Sequence, residues 1–158
     1  IVFLGDCFKT VFACLAARLL FASQPDMVGL LVLYAALGSI LGHNYPFYMH
    51  FNGGKGIACT AGLLVSIDWR LTLICLIVFA LIVGATRYVS LGSLVVVTIF
   101  LAWMVVFGMM GEYGVRAGLL PEFYGVAAVI AALAFLRHRA NLKRLFSGTE
   151  NKIGVKKK

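Results

Sequence analysis

Charged residues are scarce in this sequence. Only 13% of its 158 residues are Asp, Glu, Lys or Arg, and only six of those are acidic. A soluble globular chain carries about 25% charged and about 45–50% apolar residues, whereas here 62% are hydrophobic and the mean hydropathy is +0.99. A soluble fold of this size could not bury so much apolar side chain. The composition therefore predicts an integral membrane protein.

Processing and linker signals are also absent. The chain starts at Ile1 directly in an apolar run, without the charged region and small-residue cleavage site of a signal peptide. We therefore expect a fragment that lacks its N-terminal part. No Pro/Gly/Ser-rich linker, change of composition or internal repeat is visible before residue 137. The sequence predicts one transmembrane helical domain over residues 1–137 and a basic cytoplasmic tail over residues 138–158.

Common signatures of metal and nucleophile chemistry are missing too. The four cysteines lie in apolar stretches and form no CxxC pair, so we interpret them as buried thiols: Cys7, Cys14, Cys59 and Cys75. There is no HExxH motif, no His/Cys metal-ligand spacing, no H-x-x-x-x-D motif and no G-x-S-x-G turn. The sequence therefore predicts no metal, no cofactor and no serine nucleophile.

Apolar segments separated by polar residues indicate the membrane spans. About 20 apolar residues cross a bilayer, with a range of about 17–25. Six candidate spans follow, of which the third is short: 1–22, 27–43, 55–67, 69–86, 88–110 and 122–137. We expect an all-α, polytopic helical bundle with about six transmembrane helices.

The distribution of cations predicts the orientation. If six spans alternate, one end of the bundle carries nearly balanced charges, including Asp68, Arg70 and Glu112. The other end carries Lys55, Arg87 and the eight Lys and Arg residues of 137–158. Because cytoplasmic loops of membrane proteins are enriched in Lys and Arg, the second end is predicted to face the cytoplasm. Polar residues able to do chemistry are thereby expected at one membrane face.

Two glycine-containing stretches stand out, GHNYP at residues 42–46 and FNGGKG at residues 51–56. Glycines allow a turn whose N–H groups point together, and a following helix adds its positive dipole end. Lys55 would supply a point charge for a phosphate. The spacing differs from a P-loop, because Lys55 is followed by Gly. A flexible interfacial loop with an anchoring lysine explains these residues equally well.

A second polar cluster, RHRANLKRLFSGTE, follows the last apolar segment at residues 137–150. If the helix continues, Arg137 and Asn141 share a face and His138 lies nearby. A guanidinium forks onto phosphate oxygens, while His and Asn side chains bind hydroxyls. On positive charge alone, a basic helix that holds lipid headgroups is favoured. Asn141 and Glu150 count against that interpretation, because such a helix gains little from either.

Two further polar stretches are less specific. In RYVSLGS at residues 87–93, Ser90 could donate to a phosphate or carbonyl, but small residues also let membrane helices pack closely. Arg87 could be a positive-inside anchor. Asp6 and Lys9 lie within the first apolar segment, where ionisable groups are costly. We expect these two to pair, with a secondary role in positioning the site.

Taken in order, these stretches resemble the acyl-phosphate:glycerol-3-phosphate acyltransferases, a family of bacterial inner-membrane enzymes. The matching stretches run the length of the chain: LGDxxK at 4–9, GHxYP at 42–46, FxGGKG at 51–56, RYVSLGS at 87–93 and RHxxNLxRLxxGTE at 137–150. The resemblance implies a seven-helix, multi-pass protein of the bacterial cytoplasmic membrane with its active site facing the cytoplasm.

The resemblance also implies the reaction. Family members transfer a fatty acyl group from acyl phosphate to the 1-hydroxyl of glycerol 3-phosphate, forming lysophosphatidic acid in phospholipid biosynthesis. The expected partners are these two substrates, membrane lipid and the enzyme that makes acyl phosphate. No nucleic acid partner is expected.

The site expected on this basis has three groups of residues. The predicted catalytic residues are His43, Lys55, His138 and Asn141. The acyl phosphate is expected on the backbone amides beside a neutralising lysine: Gly53, Gly54, Lys55 and Gly56. Glycerol 3-phosphate is expected to contact Arg87, Ser90, Arg137, His138, Asn141 and Glu150. Either histidine could act as general base, as could the departing phosphate.

Three departures from the family pattern are visible. The family's first motif, a Ser-Gly-Asn stretch that helps to form the substrate site, is absent, so we expect this chain to be inactive by itself. Cys59 stands where the family usually has Thr, and Thr10 stands where Gly often follows the lysine.

Two other functions remain open from the sequence. A transporter or channel for a phosphate-bearing anion would also gather cations in a helical bundle, although it would be expected to show inverted repeats or broken helices. A non-catalytic lipid-binding scaffold is the third interpretation.

Overall fold

Helices make up the fold. The computed structural model describes residues 2–154, and this range contains seven α-helices: α1 Val2–Leu20, α2 Val28–Asn44, α3 Ile57–Ile67, α4 Trp69–Thr86, α5 Val89–Met109, α6 Leu120–Arg137 and α7 Arg139–Phe146. Short 3-10 turns at Phe47–Met49 and Ala117–Leu119 precede α3 and α6. Ile1, where the first predicted span starts, and the predicted basic residues Lys156, Lys157 and Lys158 lie outside the described residues.

The six predicted apolar segments correspond to α1 through α6, and the all-α class is confirmed. Within residues 2–154, four helical segments are long and apolar enough to cross a membrane: Val28–Met49, Trp69–Thr86, Val89–Met109 and Ala117–Arg137. Helix α3 has 11 residues, in agreement with the short third segment. Helix α1 has 19 residues but contains Asp6, Lys9 and Arg18, which makes it more polar than those four.

Local chemistry explains several helix boundaries. The Asp68 carboxylate caps α4 by accepting a 2.8 Å hydrogen bond from the backbone N–H of Arg70. Helix α6 begins at Leu120, two residues before the predicted segment, because Pro121 fits the first turn of a helix, where a missing N–H costs nothing. It ends at Arg137, and His138 separates it from α7.

The bundle has a buried interior and an apolar exterior. Helix α1 packs on α2 and α3, α2 also contacts α6, and α5 lies between α4 and α6. Large side chains such as Leu33, Phe100 and Phe123 are fully buried at its centre. In contrast, α4 buries only Leu71 and Cys75, and the rest of its apolar surface is available to lipid.

One close helix contact depends on the absence of a side chain. A Cβ atom added to Gly62 of α3 would overlap the backbone carbonyl of Cys7 in α1. Small residues permit such approaches between membrane helices. This contact brings the charged residues of α1 beside the start of α3.

The end of the bundle away from the basic motifs is electrically balanced, as expected. Arg70 bridges Asp68 and Glu112, with both nitrogen–oxygen distances 3.0 Å. The Trp103 indole N–H donates to the same Asp68 carboxylate at 3.1 Å. Arg70 is therefore paired within the protein.

Candidate active site

A cavity of about 810 Å³ opens at the basic end of the bundle. Its polar wall contains His43, Lys55, Ser90, His138, Asn141 and Glu150. Its apolar wall contains Phe3, Ile57, Phe79, Val83, Val89 and Ile153. The predicted convergence of the polar motifs on one face is confirmed. A cavity with one charged and one apolar wall suits an amphipathic ligand.

Two lysines, Lys55 and Lys152, line this cavity, and Lys55 is the one beside a helix N-terminus. It lies just before α3, and within residues 2–154 its ammonium makes no hydrogen bond or ion pair. Burial in the cavity wall lowers the pKa of Lys55, and the nearby Arg144 and Arg137 also lower it, while Glu150 acts in the opposite direction. An ammonium in these surroundings gains from a bound anion.

The start of α3 adds to this positive potential. Its N-cap residue, Gly56, has a φ of 78° and no capping side chain. The first N–H groups of a helix have no partner within the helix and form the positive end of its dipole. Ile57 and Ala58, at that start, line the cavity. Lys55 and the α3 N-terminus thus both contribute positive potential to this side of the cavity.

Two glycines of the loop donate hydrogen bonds to the end of α2. The backbone N–H of Gly53 donates to the carbonyl of Asn44 at 3.1 Å, and that of Gly54 donates to the carbonyl of His43 at 3.2 Å. These amides are therefore occupied in this structure, and their predicted binding of acyl phosphate would require those two hydrogen bonds to open. The positions require glycine because added Cβ atoms would overlap the His43 carbonyl and the His43 ring respectively.

Arg137 holds this loop from the other side. Its Nε donates to the carbonyl of Gly54 at 3.0 Å and its Nη2 to the carbonyl of Gly53 at 2.6 Å. Its guanidinium carbon lies 5.2 Å from the centre of the Tyr45 ring. We predicted that Arg137 binds glycerol 3-phosphate. In this structure the Nε and Nη2 groups of the guanidinium donate to two carbonyl oxygens, and the contact with glycerol 3-phosphate stays a prediction.

The helix does not continue past residue 137, contrary to the assumption made from sequence. His138 has φ and ψ of −98° and 6°, and a new helix starts at Arg139. Arg137 and Asn141 consequently point to different partners, Gly53 and Glu150. The break arises where the N–H of His138 bonds to the carbonyls of both Ala134 and Phe135, which tightens the last turn.

Glu150 joins three polar side chains. One of its oxygens accepts from Ser90 at 2.9 Å and from Asn141 at 2.7 Å, and the other accepts from Arg144 at 2.8 Å. Burial alone would raise the pKa of Glu150, but hydrogen bonds from Asn141, Arg144 and Ser90 outweigh it and leave the pKa below its ordinary value. These contacts connect the C-terminal segment to the bundle, and the predicted contact of Glu150 with glycerol 3-phosphate stays a prediction.

His138 is almost fully buried, with 2% exposure, and borders the cavity. Its Nδ1 lies 2.7 Å from the carbonyl oxygen of Ala134. A carbonyl only accepts, so Nδ1 carries the hydrogen and Nε2 of the neutral ring is left as an acceptor. Burial lowers the pKa of His138, as does Lys55, while the Ala134 hydrogen bond and Glu150 oppose this. The imidazole is thus neutral at pH 7.

His43 belongs to a second group beside the cavity. Asp6 and Lys9 form the predicted ion pair, with Nζ 2.6 Å from Oδ1. Both of these atoms lie 3.1 Å from Nδ1 of His43. Asp6 and Lys9 thereby fix the orientation of the imidazole.

With this geometry defined, the chain can be compared with known proteins. A family model described as glycerol-3-phosphate acyltransferase matches residues 1–148. The chain belongs to the glycerol-3-phosphate acyltransferase family. This confirms the family and the integral membrane class expected from the sequence.

Individual members of the family agree with this assignment. A glycerol-3-phosphate acyltransferase of Clostridioides difficile is 40% identical over 159 residues, which cover 98% of this chain and 71% of that protein. A glycerol-3-phosphate acyltransferase of Mycoplasmopsis synoviae is 39% identical, with 96% of this chain and 70% of that protein covered.

Solved structures show the same fold. The crystal structure of PlsY (YgiH), an integral membrane glycerol 3-phosphate acyltransferase, in its glycerol 3-phosphate form has a TM-score of 0.77 and 30% identity. The match covers 97% of this chain and 70% of the PlsY chain in that structure. The lysophosphatidic acid form has a TM-score of 0.74 and 31% identity, with 97% and 71% covered.

Sequence reasoning missed several residues that line the cavity. Asn151, Lys152 and Ile153 belong to this lining, although they lie in the segment predicted to be a basic cytoplasmic tail. The segment folds back because the N–H of Ile153 donates to the carbonyl of Arg87 at 2.9 Å. The side chain of Arg87, a predicted ligand, is exposed outside the cavity lining. An apolar residue in a basic segment, Ile153, is the sequence feature that could have indicated this return to the bundle.

Proposed function

We propose that the protein transfers a fatty acyl group from acyl phosphate to the 1-hydroxyl of glycerol 3-phosphate, releasing lysophosphatidic acid and inorganic phosphate. The observation that carries this proposal is the position of Lys55 at a helix N-terminus, between the polar and apolar walls of one cavity and without an ion-pair partner among residues 2–154. Both the phosphate and the hydrocarbon parts of an acyl phosphate find complementary surroundings there.

The acyl phosphate binds with its phosphate on Lys55 and the α3 N-terminus. Its chain extends along Phe79 and Val83 towards the exposed Phe3 and Val89, where lipid reaches the cavity. Acyl phosphate is an activated mixed anhydride, so the protein needs to supply positioning and charge stabilisation more than a strong nucleophile. Lys55 stabilises the negative charge that grows on the departing phosphate.

Glycerol 3-phosphate occupies the other side of the polar wall, beside His138 and Asn141. Its 1-hydroxyl oxygen attacks the carbonyl carbon and the bond to the phosphate oxygen breaks, with the electron pair leaving on phosphate. The hydroxyl proton passes to Nε2 of His138 or to the departing phosphate. His138 is better suited than His43, whose Nδ1 is held by Asp6 and Lys9 and whose Nε2 side packs against Gly54.

The same end of the bundle faces the cytoplasm of a bacterial inner membrane. It carries Lys55, Arg87, Arg137, Arg139, Lys143, Arg144 and Lys152. The opposite end pairs Arg70 with Glu112 and Arg116 with Asp26. An excess of Lys and Arg marks the cytoplasmic side of a membrane protein. Glycerol 3-phosphate would then enter from the cytoplasm, and inorganic phosphate would leave to it.

A label-transfer assay tests the proposal in the full-length protein. Acyl phosphate labelled in its acyl group and glycerol 3-phosphate should give labelled lysophosphatidic acid without acyl-CoA or added metal. A transporter would instead move glycerol 3-phosphate across proteoliposomes without product, and a scaffold would do neither. Either of those two outcomes would overturn the proposal.

A further inference from the structure

Asp6, His43 and Cys59 come from three different helices and meet beside the cavity. Their potential ligand atoms, a carboxylate oxygen, an imidazole nitrogen and the Cys59 sulfur, all lie within 4.8 Å of one another. Asp6 Oδ1 and His43 Nδ1 are 3.1 Å apart, close to the ~3.3 Å separation of two ligands on a tetrahedral zinc ion with bonds of ~2.0 Å. The Cys59 sulfur lies within 4.8 Å of both atoms, so its movement towards them would complete a three-ligand set.

The chemistry of the three donors favours zinc-type cations. Thiolate and imidazole select Zn²⁺ and its analogue Co²⁺ over Mg²⁺ and Ca²⁺, which require oxygen ligands. Three protein ligands leave a fourth tetrahedral position for water. His43 also lines the cavity, so an ion can reach the group from the aqueous side.

The position already holds a cation, which is the ammonium of Lys9. Its Nζ lies 2.6 Å from Asp6 Oδ1 and 3.1 Å from His43 Nδ1, the two atoms that would ligate a metal. The Lys9 side chain is 41% exposed and can therefore turn outward. A divalent ion between one carboxylate and one thiolate would leave the group neutral overall.

We propose that Asp6, His43 and Cys59 form an inhibitory binding site for Zn²⁺, which replaces the Lys9 ammonium. On binding, the Cys59 thiol releases its proton to water, the zinc–sulfur bond forms, and Lys9 stays protonated as it moves away. Turnover falls because a bond from Nδ1 to the metal, shorter than its 3.1 Å contact with Lys9, draws the His43 ring away from the loop at Gly54 that packs against it. The inhibitory consequence rests on the proposed acyl transfer, whereas the binding does not.

Binding is measured directly with Co²⁺ on the purified protein in detergent. One ion per chain should produce a thiolate-to-cobalt charge-transfer band that Zn²⁺ abolishes by competition. The Cys59→Thr variant should lose the band and bind at least tenfold more weakly, and it should fold because Thr is the residue expected at this position from the family pattern. Cys7→Ser is the matched control, since Cys7 neighbours the group but is outside it. This variant should keep the band.

A third variant separates this site from adventitious metal binding. Lys9→Gln removes the competing ammonium and should tighten Co²⁺ binding, which a nonspecific surface site would not show. A band that persists in Cys59→Thr, or no band with the unsubstituted protein, would overturn the proposal. Zn²⁺ should inhibit turnover by the unsubstituted enzyme but not by the Cys59→Thr variant. If Zn²⁺ binds to the unsubstituted enzyme without inhibiting it, the inhibitory role is overturned. Absence of turnover before zinc is added would count against the proposed function alone.

Discussion

The Nη2 atom of Arg137 donates a 2.6 Å hydrogen bond to the carbonyl oxygen of Gly53, although the two residues are 84 positions apart. With the second bond to Gly54, this contact fixes the loop before α3 relative to the end of α6. The position of Lys55, which follows directly, depends on that connection.

Replacing Arg137 by Lys should therefore loosen the loop before α3 and reduce the affinity for acyl phosphate. A lysine can keep one of the two carbonyl contacts, and losing a charge-assisted hydrogen bond costs about 1.5–3 kcal/mol. We expect faster proteolysis of the loop between residues 47 and 55 and a higher KM for acyl phosphate. Arg139→Lys, at an exposed neighbouring position, is the control and should leave both unchanged. Equal effects of the two substitutions would contradict this role.

Gly54→Ala should disturb the same loop from within. An added Cβ would overlap the His43 ring, so either the ring or the loop must move. We expect a large loss of kcat/KM and a lower melting temperature. Gly42→Ala provides the comparison, because a Cβ at that helical position meets nothing within 4 Å. If both variants retain full activity and stability, the close packing of Gly54 on His43 is unimportant.

The occupied carboxylate of Glu150 predicts how stability depends on pH. The pKa of Glu150 in the folded protein lies below its ordinary value of 4.5. The ionised carboxylate therefore makes its full contribution to folding stability above pH 4.5, and this contribution is lost as the pH falls through the folded-state pKa. Glu150→Gln should cost about 1–3 kcal/mol at neutral pH and flatten this acid dependence. Melting temperatures measured from pH 3 to 7 for this variant and for Glu122→Gln, at the other end of the bundle, check the prediction. Parallel curves for Glu150→Gln and the unsubstituted protein would contradict it.

The organisation of the bundle could be predicted from sequence to a large extent, because hydropathy and charge act over whole segments. Segment 69–86 matches α4 at both ends, and the pairing of Asp6 with Lys9 follows from their spacing on one helix. The roles of Arg137 and Glu150 could not be predicted, since a charged residue near a phosphate site does not reveal whether a carbonyl or a substrate occupies it. The meeting of Asp6, His43 and Cys59 could not be predicted either, because it depends on how three helices pack together.

His138 and His43 should differ in their effect on turnover. General-base catalysis typically contributes a factor of about 10²–10⁴, so we expect His138→Ala to lower kcat within that range and His43→Ala to lower it less. Because the pKa of His138 lies below its ordinary value of 6.5, kcat should be constant above about pH 6.5 and fall in more acidic solution. A pH profile of kcat for each variant makes the test. Undiminished turnover in His138→Ala would assign the proton to the departing phosphate.

The most direct test of the account is the stoichiometry of the reaction in the full-length protein and in Lys55→Met. Lysophosphatidic acid and inorganic phosphate should appear in equal amounts from acyl phosphate and glycerol 3-phosphate, with no product when acyl-CoA replaces acyl phosphate. Lys55→Met should lower kcat/KM for acyl phosphate by a factor of 100 or more, since removing a charge-assisted contact in a desolvated site costs about 2.7–4 kcal/mol. Lys152→Met, also at the cavity, should have a much smaller effect because Lys152 lies over the Tyr88 ring. Product formed equally well by Lys55→Met, or no product from the unsubstituted protein, would contradict the central claim.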